Sequence, residues 1–218
     1  MIGICSNCGN HRWDKTVTET EIVCPRCHHR WRYRRLPLFI LSGCSGVGKT
    51  TTGQELLARQ TDFIVLDADL FYNIMPHDSD ADYLRQVEQM QSHSRNLMQS
   101  GKPVLWTMAG NLDKLYQTYN CRFFSAIYCL ALTCGESTLR ERMTQGRGIT
   151  DEGWIQSSVE YNRYFQTHNR LGLNAEGWAE HTVVSPSTDT IPAWEDEQAM
   201  AGVREMALWL NGDESQGA

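Results

Sequence analysis

Leu36-Pro37-Leu38-Phe39-Ile40-Leu41 runs through Ser42 into Gly43-Cys44-Ser45-Gly46-Val47-Gly48-Lys49-Thr50, and a helical pattern follows from Thr50 to Arg59. The apolar run has strand length and no polar break, as a strand covered on both faces requires. The loop after it is a full G-x-x-x-x-G-K-T, and between a strand and a helix that spacing specifies a phosphate-binding loop. Its glycines let backbone amides turn inward around phosphate oxygens, while the helix N-terminus adds its dipole. Lys49 is long enough to reach the β- and γ-phosphates, and the Thr50 hydroxyl is placed to ligate Mg²⁺. The candidate nucleotide-binding set is therefore Gly43, Cys44, Ser45, Gly46, Val47, Gly48, Lys49, Thr50 and Thr51, with ATP and Mg²⁺ implied.

Downstream, Phe63-Ile64-Val65-Leu66-Asp67-Ala68-Asp69 reads as the next strand, one helix away, which fits a right-handed βαβ crossover. Asp67 and Asp69 fall at its C-terminal end, where open α/β sheets place ligands. In an extended chain both carboxylates face one cleft. Asp67 is assigned to a Mg²⁺-bound water and Asp69 to the proton of an attacking hydroxyl; the alternative is a pair of strand-end residues capping the next turn. Ala68 stands where hydrolytic ATPases place a water-activating Glu, and no Asn-Lys-x-Asp guanine-reading signature is present, so transfer is favoured over hydrolysis.

Asp80 to Ser100 has helical periodicity and is stopped by Gly101-Lys102-Pro103. Val104 to Met108 and Ala126 to Leu132 read as strands three and four, His181 to Ser185 as strand five and Asp196 to Leu210 as a closing helix. Gly110, after strand three, either admits a substrate close to the backbone or merely turns the chain. Leu139-Arg140-Glu141-Arg142-Met143-Thr144-Gln145-Gly146-Arg147-Gly148 places three arginines beside two glycines, the composition of a mobile lid. Phosphoryl transfer is mostly positioning and charge stabilisation, so Arg140, Arg142 and Arg147 are candidate catalytic groups. In the next helix Trp154, Ser158, Tyr161 and Phe165 share a face and Arg163 lies off it.

Upstream, Cys5-Ser6-Asn7-Cys8 and Cys24-Pro25-Arg26-Cys27 form two C-x₂-C knuckles separated by fifteen residues. Such turns aim paired sulfurs at one ion, and four thiolates make a closed tetrahedral Zn²⁺ site. A segment of about 35 residues cannot bury a sufficient core, so metal must carry its folding. Trp13 to Val23 reads as a hairpin. The run Arg26, Arg30, Arg32, Arg34 and Arg35, interleaved with Trp31 and Tyr33, suits either a solvated strand or a surface that stacks and neutralises RNA.

Composition agrees with this division into a ribbon over 1–35 and a second domain over 36–218. The first segment holds seven Lys/Arg against three Asp/Glu and the remainder 13 against 23, so the larger domain is no bulk nucleic-acid binder. Cys44, Cys121, Cys129 and Cys134 read as small buried hydrophobes rather than a disulfide framework. With no membrane-length apolar run and no signal pattern, a cytoplasmic protein is expected.

The phosphate loop, the Leu66-Asp67-Ala68-Asp69 strand end, the Ser100-Gly101-Lys102-Pro103-Val104-Leu105 turn and the Leu139-Arg140-Glu141-Arg142-Met143 lid resemble the P-loop nucleoside/nucleotide-kinase-like proteins. Within that family the chain is similar to bacterial nucleoside kinases with an N-terminal zinc ribbon, a likeness that includes Glu160-Tyr161-Asn162-Arg163-Tyr164-Phe165. The resemblance implies an α/β three-layer fold with a five-stranded parallel sheet of order 2-3-1-4-5 and a lid. It also implies metal and substrate contacts at Asp67 and Asp69, and lid roles for Arg140, Arg142 and Arg147. The expected substrate-binding set is Asp69, Gly110 and Arg163. Strand three ends without the Gly-rich run of shikimate kinases, which disfavours shikimate. The function expected is γ-phosphate transfer from ATP to a small-molecule hydroxyl, with a nucleoside as acceptor. Two alternatives stand beside it. A nucleoside-monophosphate kinase would need an arginine clamp, for which only Arg85 and Arg95 are available between Asp69 and Pro103. An RNA- or protein-binding module would use the P-loop as a nucleotide switch.

Overall fold

The computed structural model describes residues 1–58, 63–110 and 112–167, and the backbone of 170–171 and 181–182. The expected helix over 196–210 lies outside the described residues, as do Arg59 and Asn111. Three short strands, β1 (Thr16–Val17), β2 (Glu21–Val23) and β3 (Arg30–Arg32), pair antiparallel in chain order. β4 (Leu38–Gly43) then leads into α1 (Lys49–Ala58), β5 (Ile64–Asp67), α2 (Asp80–Leu97), β6 (Val104–Thr107), β7 (Ile127–Leu132), α3 (Glu136–Glu141) and α4 (Glu152–Thr167).

The main sheet is parallel, in the order β5-β6-β4-β7. This is the expected 2-3-1-4, but the sheet has four strands among the described residues, not five. The segment expected as strand five is described only at His181–Thr182 (β9), which pairs antiparallel with Arg170–Leu171 (β8).

Alternate residues of the strands feed two cores, because successive side chains point to opposite faces. Leu38, Ile40, Val104, Trp106 and Ile127 pack with Val87, Met90 and Met98 around α2. Phe39, Leu41, Leu105 and Leu130 pack with Val47, Leu56, Leu139 and Val159 on the other face. These are three layers of an α/β protein with ligand-bearing loops at the carboxyl ends of the strands.

α2 starts on Ser79, whose hydroxyl accepts from Asp82 N at 3.1 Å. A 3₁₀ turn, Met98–Ser100, follows it and closes on Gly101, which has φ +97°. In α4 the buried stripe is Ile155, Ser158, Val159, Asn162 and Phe165. Trp154, expected on that face, is half exposed. No described helix is long and apolar enough to cross a membrane.

Candidate functional site

The loop between β4 and α1 turns through positive φ at Gly43, Gly46 and Gly48. At Gly43 the need for glycine is also steric, since a Cβ would stand 2.7 Å from the Leu132 carbonyl oxygen. Lys49 folds back across this loop, its Nζ donating to the carbonyls of Gly43 at 2.9 Å and Cys44 at 2.8 Å. Burial pulls its pKa down to about 8; the neighbouring Arg147 pushes the same way, while Asp69 and Asp67 oppose it. Cys44 is buried and its thiol is pushed up to about 12, mainly by desolvation, so it stays protonated. Thr50 and Thr51 are exposed on the first turn of α1, and Thr52 is spent on the Gly48 carbonyl at 3.1 Å.

The strand-two carboxylates do not both sit on extended chain as expected: Asp67 does and Asp69 does not. β5 ends at Asp67, whose side chain caps the 3₁₀ turn Ala68–Phe71 by accepting from Asp69 N at 3.0 Å. The turn swings Asp69 into a cavity of about 540 Å³ beside the phosphate loop, lined also by Ser45 and Arg147. The sequence did not single out Tyr72, Asn73, His77, Tyr83 and Gln86 of the remaining lining as site residues, and Trp154, also there, was read only as a helix-face residue. The only advance signal of this lining is polar and aromatic residues between a strand end and a helix. Tyr72 and His77 stack with ring centroids 3.9 Å apart. The Gln86 amide nitrogen donates to the Pro76 carbonyl at 2.9 Å, which leaves its oxygen as the acceptor.

The three lid arginines part company. After α3 the chain makes a π-helical turn, Arg142–Gly146, whose buried Met143 packs against Gly46 of the phosphate loop. Arg142 approaches the Val47 carbonyl at 3.5 Å, and Arg147 joins Asp69 in the cavity. Arg140 points elsewhere: its guanidinium bonds Glu136 at 3.0 Å, Glu152 at 2.8 Å and Gln156 at 2.8 Å. It ties α3 to α4, which corrects its expected place at the γ-phosphate.

Two expected acceptor residues are also displaced. Arg163 is 60% exposed and pairs with Glu136 at 3.0 Å, outside both cavities near the sheet end. Gly110 lines a second cavity with Tyr161 and Phe165, whereas its neighbour Ala109 and the adjoining Tyr83 line the one that holds Asp69. Its φ of +136° and the Tyr83 hydroxyl, with which any Cβ would collide, both demand glycine there. Its carbonyl accepts from the Tyr161 hydroxyl. Asn162, given no role by the sequence, fixes the turn after β7 by accepting from Cys134 N at 3.0 Å and donating to Cys134 O at 2.6 Å.

Lys49, Arg142 and Arg147 gathered against Asp67 and Asp69 leave the loop with an excess of positive charge, the electrostatics of a polyanion site. A titration experiment follows. Free Lys49 loses its proton near pH 8, whereas a bound phosphate holds the ammonium form. ATP-analogue binding should therefore take up a proton, approaching one per nucleotide near about pH 9 and vanishing near about pH 6.5, where the lysine is already charged. Affinity should fall as pH rises through that window. Calorimetry in buffers of different ionisation enthalpy reads the uptake directly, and Lys49→Met should abolish it.

At the other end of the chain, Cys5, Cys8, Cys24 and Cys27 bring their sulfurs within 4.8 Å of one another. The Cys5–Cys27 and Cys8–Cys24 separations are 3.6 and 3.7 Å. Four sulfurs about 2.3 Å from a central ion form a tetrahedron with edges of about 3.8 Å, so the cluster has metal-site dimensions and not those of disulfides. The two knuckles are equivalent: Gly9 at φ +68° and His28 at φ +58° follow the second cysteine of each, and each donates its N–H to the carbonyl of the first at 2.9 Å.

Residues 40–163, more than half the chain, match the family described as AAA domain. No curated protein matches the chain in sequence. Among solved structures it is similar to a gluconokinase from Sinorhizobium meliloti, at 19% identity and TM-score 0.55 over 82% of this chain and 99% of that one. It is also similar to a sugar kinase from a Janibacter species, at 15% identity and TM-score 0.51 over 82% and 95%. A third is the tunicamycin resistance protein of Deinococcus radiodurans, at 15% identity and TM-score 0.50 over 79% and 96%. At such identities the likeness is one of fold. The chain belongs to the AAA domain family, and its fold is the P-loop kinase-like α/β fold.

Proposed function

We propose that the protein transfers the γ-phosphate of ATP to a hydroxyl of a small molecule, a nucleoside being the preferred acceptor. The observation that carries the proposal is the shared cavity: Ser45 of the phosphate loop, the Asp69 carboxylate and Arg147 line one hollow whose remaining wall is aromatic and amide-bearing. The Tyr72–His77 stack offers a flat apolar wall for a heterocycle, and the fixed Gln86 oxygen asks for an N–H on it. A volume of about 540 Å³ suits a ligand of that size.

In the proposed mechanism the acceptor hydroxyl attacks the γ-phosphorus. Its proton passes to Asp69 as the bond to the ADP oxygen breaks. Lys49 and the loop amides hold the β- and γ-oxygens, while Arg142 and Arg147 offset the charge spreading over the transferred group. Thr50 and Asp67 are the residues that would hold Mg²⁺, which supplies further charge neutralisation. The cysteine cluster would hold a structural Zn²⁺ in a ribbon over 1–35, ahead of a kinase domain over 36–218.

The nucleoside-monophosphate alternative loses its clamp. Arg85 pairs with Asp82 at 3.2 Å on the surface, and Arg95 is buried over the Phe123 ring; neither lines the cavity. Of the basic run that motivated an RNA-binding reading, Arg30 meets Glu21 at 3.3 Å and Arg35 donates to the Phe124 carbonyl at 3.1 Å.

A thermal-shift screen of nucleosides and other small hydroxyl compounds, with Mg²⁺ and a non-hydrolysable ATP analogue, should single out a nucleoside. With that acceptor and ATP, Asp69→Asn should lower turnover about 10²- to 10⁴-fold, the range of a general base, while ATP-analogue affinity stays within about threefold. Transfer by Asp69→Asn at the parental rate would remove Asp69 as the base. Stabilisation by sugars or acids alone would remove the nucleoside.

A further inference from the structure

The cysteine ribbon and helix α2 meet at one tyrosine. The Tyr119 hydroxyl accepts the Lys15 N–H at 2.9 Å and donates to the Lys15 carbonyl at 3.1 Å, serving the ribbon backbone as a neighbouring strand would. Trp13 stacks on the Tyr119 ring, with centroids 6.0 Å apart and planes 12° from parallel. On its other side Tyr119 begins the 3₁₀ turn Asn120–Phe123, and that turn is held by a single carboxylate. Glu88 of α2 receives Tyr119 N at 2.6 Å and Asn120 N at 2.8 Å, together with the Asn120 side-chain amide. Charge-assisted bonds to backbone donors of this kind are short and directional.

Further contacts run down the same helix. Arg95, two turns after Glu88, is buried with its guanidinium 4.4 Å from the Phe123 ring centre. Asn96 accepts Ile2 N at 3.1 Å, and in the 3₁₀ turn Met98–Ser100 just after α2 Gln99 accepts Arg34 N at 2.8 Å and donates to Arg34 O at 3.1 Å. The C-terminal half of α2 is thus clasped by the ribbon. Its first three turns supply Tyr83, Gln86, Val87 and Met90 to the cavity beside Asp69. Glu88 sits within that run of residues, so whatever sets its position also sets the wall of the cavity.

We infer that Glu88 and Tyr119 are positioning residues of that cavity, and that through them the cysteine ribbon is a working part of the acceptor site. Metal occupancy of the ribbon then governs how well the acceptor binds while leaving the phosphate loop alone, because α1 and the loop pack on the opposite face of the sheet. That the cavity takes the acceptor rests on the function proposed above; that the ribbon orders its wall does not.

Hydrogen exchange on the full-length, zinc-loaded chain separates the two. Tyr119→Phe keeps the ring and removes the bonds to Lys15. Glu88→Gln keeps the shape but turns an amide N–H₂ toward donors. Each variant, with zinc bound and its thermal melt intact, should show faster exchange across residues 80–97 and unchanged exchange across 43–58. Chelation of zinc from the parent should do the same. With a nucleoside found by the screen, both variants should raise the acceptor KM roughly three- to thirty-fold, with the ATP KM unchanged. A defect confined to overall stability would not produce that split. Parental exchange over 80–97 in both variants overturns the inference, whatever the acceptor is. If chelation loosens the entire chain, the zinc-bound variants decide alone. Faster exchange without any nucleoside turnover sustains the tie and removes only the nucleoside reading.

Discussion

Lys49→Ala is expected to leave the chain folded and to lower phosphoryl transfer by about 10³-fold or more, the scale on which one charge-stabilising group acts in this chemistry. The lysine ammonium lies over the Gly43 and Cys44 carbonyls, held by 2.9 and 2.8 Å bonds in a pocket that depresses its pKa to about 8. A cation kept where it is poorly solvated costs the free protein stability and is compensated when a phosphate arrives. Removing it therefore harms the transition state far more than the fold. Lys49→Arg is no rescue, since a planar guanidinium cannot occupy the point between those carbonyls. Steady-state turnover with a matched thermal melt checks the expectation. A variant within tenfold of the parent rate, and equally stable, would take Lys49 out of the mechanism.

Stripping zinc should produce the largest change in stability. The ribbon sheet consists of strands of two, three and three residues, and its buried apolar side chains are little more than Ile22, Cys5 and Cys24. Such a core cannot offset the ordering of about 35 residues. A Cys₄ ion contributes on the order of 10–16 kcal/mol to folding, so its loss unfolds the segment outright. Purified protein should carry one zinc per chain. Chelation, or replacement of the fully buried thiolate by Cys24→Ser, should expose the amides of residues 1–35 to rapid exchange. Protection of those amides in metal-free protein would contradict the assignment.

What the sequence disclosed and what it withheld have separate physical causes. The phosphate loop and the knuckles were legible because their function lies in spacing: glycine conformations and sulfur pairs are local properties of a few consecutive residues. The order of the four described strands came from the family resemblance, since strand pairing between distant segments is not a local property of the sequence. Asp69 was found for the wrong geometric reason, since the chain coils at Ala68 instead of staying extended. Arg140, Arg147 and Arg163 read alike as lid or helix arginines. Only tertiary context separates them, because Glu136 and Glu152 capture the first, Glu136 the third, and the cavity receives the second. Gly110 was noticed as a glycine, but its reason is the Tyr83 ring lying against it, a contact made across 27 residues of sequence. The cavity wall on α2 was invisible for the opposite reason: Tyr83, Val87 and Met90 fit an ordinary amphipathic stripe that reads as core.

Titration calorimetry of zinc-loaded, full-length protein with a non-hydrolysable ATP analogue tests the central claim most directly. One saturable site per chain is predicted, dependent on Mg²⁺ and much weakened in Lys49→Ala. No heat of binding up to millimolar analogue, from protein whose melt confirms that it is folded, would contradict it.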